Sequence, residues 1–112
     1  MKTLVSLLAI GLLASPAFAA TKTFTDVPVV DQNCSSKAAA HPDAHTRECA
    51  LQCAKSGFGI ITSDNQFLKF DAAGNNKIVK ELKSSKEKDH LRVDVTGDVQ
   101  GNTIKVASVK LL

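Results

Sequence analysis

The chain has 112 residues, and its 14 Lys and Arg against 11 Asp and Glu give a net charge of +3 when the histidines are neutral. This balance is too mild to predict nucleic acid or a membrane surface as a partner. Trp and Tyr are absent, which removes most of the side chains on which bases stack. A chain of this length forms one domain with a modest core.

The beginning of the chain has the pattern of a bacterial secretory signal. Lys2 precedes an apolar run over 4–14, which is too short to span a bilayer as a helix. Ala17 and Ala19 place small residues at the −3 and −1 positions of a signal-peptidase site. We therefore expect 1–19 to be removed, leaving a soluble periplasmic protein with no membrane segment and a single domain over 20–112.

Five strands are predicted after this leader. Their apolar residues alternate or form short β-branched runs, as half-buried and buried strands do. Pro28 in the first strand favours an edge position, because proline cannot donate a hydrogen bond to a neighbouring strand. Gly97 marks a bulge or bend, and the parity of the apolar residues changes around Ala107 and Ser108, which predicts a β-bulge. The predicted strands cover about 27–30, 58–62, 67–70, 91–95 and 104–111.

A helix is predicted between the third and fourth strands. Apolar residues have helical spacing over about 76–85, and Asn75 or Asn76 can cap the start. The five-stranded Greek-key barrel called the OB-fold places a helix there. The order of elements therefore predicts an α+β, mainly β fold, namely a small five-stranded OB-like barrel. An extra helix carrying Cys and His then lies between strands 1 and 2, a connection that binds ligands in this fold.

Two histidines and two cysteines recur at every fourth residue between the first two strands. They are His41, His45, Cys49 and Cys53. Pro42 suits a first helical position and Gly57 a position just beyond a helix, which predicts one helix over about 42–56. At 100° per residue, both cysteines fall on the apolar arc of this helix and His45 falls at its edge.

Soft sulfur and imidazole ligands gathered in this way favour a metal site. Four helical rungs span about 18 Å, so one ion takes at most two neighbouring rungs and a returning loop must supply the rest. Cys34 lies on such a loop, and zinc or Cu(I) suits this ligand set. The candidate metal ligands are therefore Cys34, Cys49 and Cys53 together with His41 or His45.

A disulfide is the alternative use of the same cysteines. Three cysteines follow the leader, and an oxidising compartment favours bonding of a well-placed pair. Cys49 and Cys53 have poor geometry for a bond to each other within one helix, whereas Cys34 can reach either. Such a bond closes a loop of about 15 to 19 residues and contributes roughly 3 kcal/mol. Thiol redox chemistry is a third use.

The histidine and Cys-Ala-x-x-Cys pattern at 45–57 and the Val-Thr-Gly strand at 95–97 resemble a group of small exported bacterial proteins. The resemblance covers most of the chain after the leader. It implies the same layout, an OB-fold-like barrel with a Cys/His helix, and it implies no particular activity. The Val-Thr-Gly hairpin end is also similar to periplasmic OB-fold stress proteins.

The cysteine-rich segment comes with no catalytic signature. The chain has no Cys-x-x-Cys redox pair, no haem-attachment motif and no Gly-x-Ser-x-Gly elbow. We therefore expect that the protein is not an enzyme, although the sequence does not exclude thiol oxidoreductase activity. The function expected first is a periplasmic binding protein for a soft metal ion, copper or zinc. The alternative is a disulfide-stapled OB-like stress or interaction module that binds a small ligand or a periplasmic protein without a metal.

Overall fold

The computed structural model of the chain describes residues 20–112, and the predicted signal sequence over 1–19 lies outside the described residues. The strands are β1 (Ala20–Asp31), β2 (Phe58–Ile61), β3 (Phe67–Phe70), β4 (Arg92–Gln100) and β5 (Thr103–Leu111). They close into a barrel in the order β1, β2, β3, β5, β4. Neighbouring strands are antiparallel except β3 and β5, which are parallel. The predicted α+β, mainly β, OB-like architecture is confirmed.

The helices are α1 (Ser35–Ala38), α2 (Arg47–Gln52) and α3 (Ala72–Ser84). α3 connects β3 to β4, as predicted. α1 and α2 belong to the connection between β1 and β2, residues 32–57, which we call the insertion. Within residues 20–112, none of the helices is long and apolar enough to cross a membrane.

The core lies inside the barrel and extends to two of the helices. Inward-facing residues of the strands alternate with outward ones, as Val93 and Val95 of β4 show. α3 adds Ile78 and Leu82, whose side chains are fully buried, and α2 adds Ala50. The short α2 therefore packs on the core through the buried Ala50 and the partly buried Leu51.

A second cluster holds the first part of the insertion against the barrel. Val30 of β1 packs with Ala38 of α1 and Ile61 of β2, away from the main core. Because α1 begins directly after Cys34, this contact fixes where the preceding turn lies.

The predicted β-bulge in the last hairpin is confirmed. Thr96 pairs with Ser108 while the next residue, Gly97, pairs with Val106, so Ala107 is the extra residue on β5. The bulge lets the apolar residues on either side of it face the core despite their change in parity.

The prediction that Pro28 lies at a sheet edge is wrong. Pro28 is paired with Arg92 of β4, and the next residue, Val29, is paired with Ile60 of β2. A shift in register between Phe24 and Val27, where Asp26 adopts a φ of 51°, precedes the proline. This irregularity interrupts the hydrogen bonds between β1 and β4. It therefore accommodates proline, whose backbone nitrogen cannot donate a hydrogen bond.

α3 begins four residues earlier than the sequence predicted. Asp71 caps it by accepting a hydrogen bond from the Gly74 amide at 3.0 Å, and the same oxygen accepts one from the Val106 amide. Asn75, a predicted cap, instead accepts a hydrogen bond from the Phe58 amide at 2.8 Å. The side chain of Asn75 therefore ties α3 to the start of β2.

The prediction of one continuous helix over 42–56 is wrong. Pro42–Ala44 forms a separate 3₁₀ turn, and His45 then adopts an extended conformation. Thr46 caps α2 by accepting a hydrogen bond from the Cys49 amide, and α2 ends at Gln52. Local capping divides the segment because each cap requires non-helical backbone at its own position.

Hydrogen bonds with the start of β4 and with the connection before it hold the middle of the insertion. Arg92 Nε and Nη2 donate to the two carboxylate oxygens of Asp43, both at 2.9 Å. The His90 amide donates to the Asp43 carbonyl at 3.0 Å, and the Arg47 amide donates to the Lys88 carbonyl at 2.8 Å. These bonds fasten the segments on both sides of His45 to the barrel.

Replacing Gly59 with alanine is expected to destabilise the barrel. An alanine Cβ at this position would lie 2.2 Å from the Leu68 carbonyl oxygen and 2.6 Å from the Phe67 ring. Because backbone must move to relieve such contacts, we expect Gly59→Ala to lower the free energy of unfolding by about 1–3 kcal/mol. Urea denaturation measures the loss. The control is Gly101→Asn, which has open space around its Cβ and a φ that asparagine tolerates; an equal loss in both variants would contradict the steric account.

Removing the Asp43 carboxylate is expected to lower the free energy of unfolding most near neutral pH. The Arg92 hydrogen bonds lower the pKa of the Asp43 carboxyl below its ordinary value. The ion pair therefore stabilises the fold above the ordinary carboxyl pKa, and this contribution is lost as the pH falls through the lowered value. Since both side chains are about one-third exposed, we expect Asp43→Asn to cost about 0.5–1 kcal/mol at pH 7.

Denaturation of both proteins between pH 7 and pH 3 measures this difference. It should narrow in acid because the wild-type carboxyl is protonated there. Glu48→Gln is the control, since Glu48 is exposed on α2 and makes no ion pair among residues 20–112. If the difference in unfolding free energy between the wild type and Asp43→Asn stayed constant with pH, the Asp43 charge would not be the cause of the difference.

Candidate metal site

Asp31, the last residue of β1, is the buried charged residue of the described chain, with 0% of its surface exposed. Its Oδ2 accepts a hydrogen bond from the Cys34 amide at 3.0 Å. Its Oδ1 lies 2.5 Å from Nε2 of His45, whose side chain is 9% exposed. Burying a carboxylate is costly unless its oxygens are hydrogen-bonded, and both oxygens of Asp31 have a partner.

Asp31 also forms a cluster with two cysteines. Ligand atoms of Asp31, Cys34 and Cys53 all lie within 4.8 Å of one another. Cys34 ends the 3₁₀ turn Gln32–Cys34, which Asp31 caps. Cys53 is the C-cap residue that directly follows α2. The two thiols are partly buried, so the cluster lies between the end of the barrel and solvent.

Hydrogen bonds between the two ends of the insertion bring the cysteines together. The Gln32 amide donates to the Gly57 carbonyl at 2.8 Å, and the Asn33 amide donates to Ser56 Oγ at 3.1 Å. The Asn33 side-chain amide donates to Sγ of Cys53 at 3.6 Å. These contacts extend the pairing of β1 with β2, so the barrel itself fixes the positions of both thiols.

The electrostatic environment of Cys34 disfavours its thiolate. Desolvation raises the pKa of the Cys34 thiol, and the adjacent Asp31 carboxylate and the Cys53 thiol raise it further. Each of these effects penalises a second negative charge next to Asp31. A cation bound among the three groups would remove this penalty.

The structure contains no disulfide between the described cysteines. All three thiols are free. Cys34 and Cys53 stand 4.4 Å apart, far beyond the S–S length of about 2.05 Å. The expected staple from Cys34 is therefore not formed, although Cys34 does return to meet one of its two predicted partners.

The predicted site residues divide into two groups. Cys34 and Cys53 lie together, and His45 joins them through its bond to Asp31. Cys49 is exposed and lies outside the cluster, and His41 is also exposed. The prediction that Cys49 lies on a buried apolar face is wrong. α2 spans only six residues, and the residue that it buries is Ala50.

Sequence reasoning missed Asp31, which lies just beyond the first predicted strand at 27–30. The available signal is its position three residues before Cys34. An Asp that accepts a hydrogen bond from the amide three residues later is a common cap of a turn or helix. The burial of Asp31 and its partner 14 residues away depend on how the insertion folds back.

Comparison of the chain with protein-family models, with curated proteins and with solved structures finds no match. The function must therefore be inferred from the chemistry of the cluster itself.

Removing the charge of Asp31 is expected to lower the pKa of the Cys34 thiol. The Asp31 carboxylate is one cause of the raised value, second to desolvation. In Asp31→Asn, the pH midpoint for alkylation of Cys34 by iodoacetamide should therefore fall. The measurement follows the Cys34 peptide by mass spectrometry across pH 7–10 in the reduced protein. Asp71→Asn, which changes a helix cap elsewhere, is the control, and an unchanged Cys34 midpoint in Asp31→Asn would contradict the assignment.

Proposed function

We propose that this protein binds one soft metal ion, zinc or Cu(I), between Asp31, Cys34 and Cys53. The observation that carries the proposal is that three groups able to bind as anions converge within 4.8 Å. Thiolates select zinc and Cu(I), and a carboxylate oxygen is an accepted additional ligand for zinc. Cys34 also lies beside the Asp31 carboxylate, and a bound cation would offset the repulsion between this carboxylate and a Cys34 thiolate.

The spacing of the thiols supports a site that closes slightly on binding. Two sulfurs bound to one tetrahedral zinc ion at about 2.3 Å lie about 3.8 Å apart. Cys34 and Cys53 stand 4.4 Å apart without an ion. The two sulfurs would therefore approach each other by about 0.6 Å on binding.

The hydrogen bonds of Asp31 are compatible with a ligating role. A carboxylate has about four lone-pair positions, and the Cys34 amide and His45 occupy two of them. Ligating carboxylates in metal sites are themselves held by such bonds, which fix their orientation. The proposed site thus has three protein ligands and an open position toward solvent.

The setting of the proposed function follows from the predicted leader at 1–19. An exported protein with an open thiolate site would take part in zinc or copper homeostasis in the periplasm. The cluster lies on the connection between the first two strands, where OB-fold proteins often bind ligands. That analogy concerns position alone and implies no particular ligand.

A groove elsewhere on the barrel supports the metal-free alternative of an interaction module. It has a volume of about 630 Å³ and lies beside the first half of β1 and the β2–β3 turn. Phe24, Leu68 and Val99 supply apolar surface, and Thr23 and Gln66 supply polar groups. The cysteines do not line this groove. Substitutions of Cys34 and Cys53 should therefore leave the affinity for a small ligand bound there unchanged and lower only the affinity for a metal ion.

Cobalt titration of the reduced protein tests the metal site. Co²⁺ serves as a spectroscopic probe for zinc, since thiolate ligation gives an intense charge-transfer band. We expect one equivalent to bind with this band, and we expect Cys53→Ser to weaken binding at least ~10-fold. Competition with Zn²⁺ and, anaerobically, with Cu(I) then ranks the ions.

The matched control is Gln52→Ser, which alters the exposed residue next to Cys53 on α2. It should bind cobalt as the wild type does. Wild-type protein that shows no thiolate band, or Cys53→Ser that binds with wild-type affinity, would overturn the proposed site.

A further inference from the structure

We propose that Asp31 shifts the preference of the metal site from Cu(I) toward Zn²⁺. This inference rests on the proposed function and assigns the residue that discriminates between its two ions. Cys34 and Cys53 alone suit either ion, because thiolates bind both zinc and Cu(I). The carboxylate is the group that distinguishes the ions, since an aspartate oxygen is an ordinary ligand of zinc but not of the softer Cu(I).

The three ligand atoms of the cluster lie close enough together to share one ion. Three atoms that are all within 4.8 Å of one another leave a central point no more than 4.8/√3, about 2.8 Å, from each of them. Zinc binds sulfur at about 2.3 Å and carboxylate oxygen at about 2.0–2.2 Å. Each ligand atom therefore moves inward by less than about 1 Å to bind zinc at this point. The carboxylate is thus within reach of the same ion as the two thiols.

Asp31 is held beside any ion that the two thiols bind. It is paired with Phe58 of β2, which fixes its backbone in the barrel. Its Oδ2 accepts the hydrogen bond from the Cys34 amide at 3.0 Å, and none of its surface is exposed. The carboxylate is therefore kept inside the cluster, where it is the neighbour of an ion bound by Cys34 and Cys53.

The charge of the ion determines how much it gains from this neighbour. At equal distance, a carboxylate attracts a divalent ion twice as strongly as a monovalent ion. Two thiolates and one carboxylate carry three negative charges, of which Zn²⁺ neutralises two and Cu(I) only one. An uncompensated charge is costly next to a fully buried carboxylate, because burial removes the water that would solvate it. Since all other groups of the site are the same for both ions, Asp31 favours zinc.

Competition titrations of the reduced protein test this selectivity. Zn²⁺ is offered together with a chromophoric zinc chelator, and Cu(I) is offered anaerobically together with bathocuproine disulfonate. We expect Asp31→Asn, which keeps an acceptor oxygen but removes the charge, to lower the zinc affinity at least about 10-fold more than the Cu(I) affinity. Asp71→Asn removes a carboxylate that caps α3 and should leave both affinities at their wild-type values. Cys53→Ser should lower both affinities, because it removes a ligand that the two ions share.

Nuclear magnetic resonance of the wild type gives a second measurement that needs no substitution of the buried Asp31. Zn²⁺ and Cu(I) are both diamagnetic, so the ¹³Cγ resonance of Asp31 can be followed in either complex. We expect zinc to shift this resonance more than Cu(I) does, because only zinc binds the carboxylate. An equal loss of both affinities in Asp31→Asn, or an equal response of the resonance to both ions, would overturn the selectivity but not the site. Wild-type protein that binds neither ion would instead overturn the proposed function itself.

Discussion

The buried carboxylate of Asp31 is the constraint on which the geometry of the cysteine cluster depends. A buried carboxylate is stable only if each of its oxygens has a hydrogen-bond partner, so Asp31 holds two segments close to it. The amide of Cys34 meets one oxygen and the imidazole of His45 meets the other. A single side chain at the end of β1 therefore determines the turn that carries one thiol and the position of the neighbouring histidine.

The barrel provides the rigid base for this arrangement, and the insertion provides the chemistry. The insertion leaves and rejoins the sheet at β1 and β2, whose pairing continues as hydrogen bonds from Gln32 to Gly57 and from Asn33 to Ser56. Those bonds hold the two ends of a 26-residue connection, 32–57, in register. Functional groups on loops are precise when a scaffold fixes both ends of the loop, and here Cys34 and Cys53 lie next to the fixed ends.

The sequence predicted the barrel better than the site because the barrel depends on repeated local signals. Alternation and short apolar runs located the five strands, but β1 begins at Ala20 and β4 extends to Gln100, well beyond the predicted 27–30 and 91–95. The change of parity predicted the bulge at Ala107, and the order of elements predicted the OB-like barrel. The prediction of one long cysteine-bearing helix was wrong because caps at Thr46 and Cys53 interrupt the helix, although the four-residue spacing of His and Cys runs through both. Asp31 was missed because its burial arises only after distant segments fold back, and no period in the sequence encodes such a contact.

The cluster also shows why a metal and a disulfide are alternative ways of closing the same small fold. Either one joins Cys34 to Cys53 and so restricts the unfolded chain across the insertion. A disulfide needs the sulfurs at bonding distance, whereas an ion bridges sulfurs that remain several ångströms apart and also neutralises the neighbouring carboxylate. With Asp31 buried beside Cys34 and the thiols 4.4 Å apart, the charge and the spacing of the cluster are compatible with the proposed ion. Binding would then stabilise the fold in proportion to the logarithm of the free ion concentration, which couples the order of the insertion to metal supply.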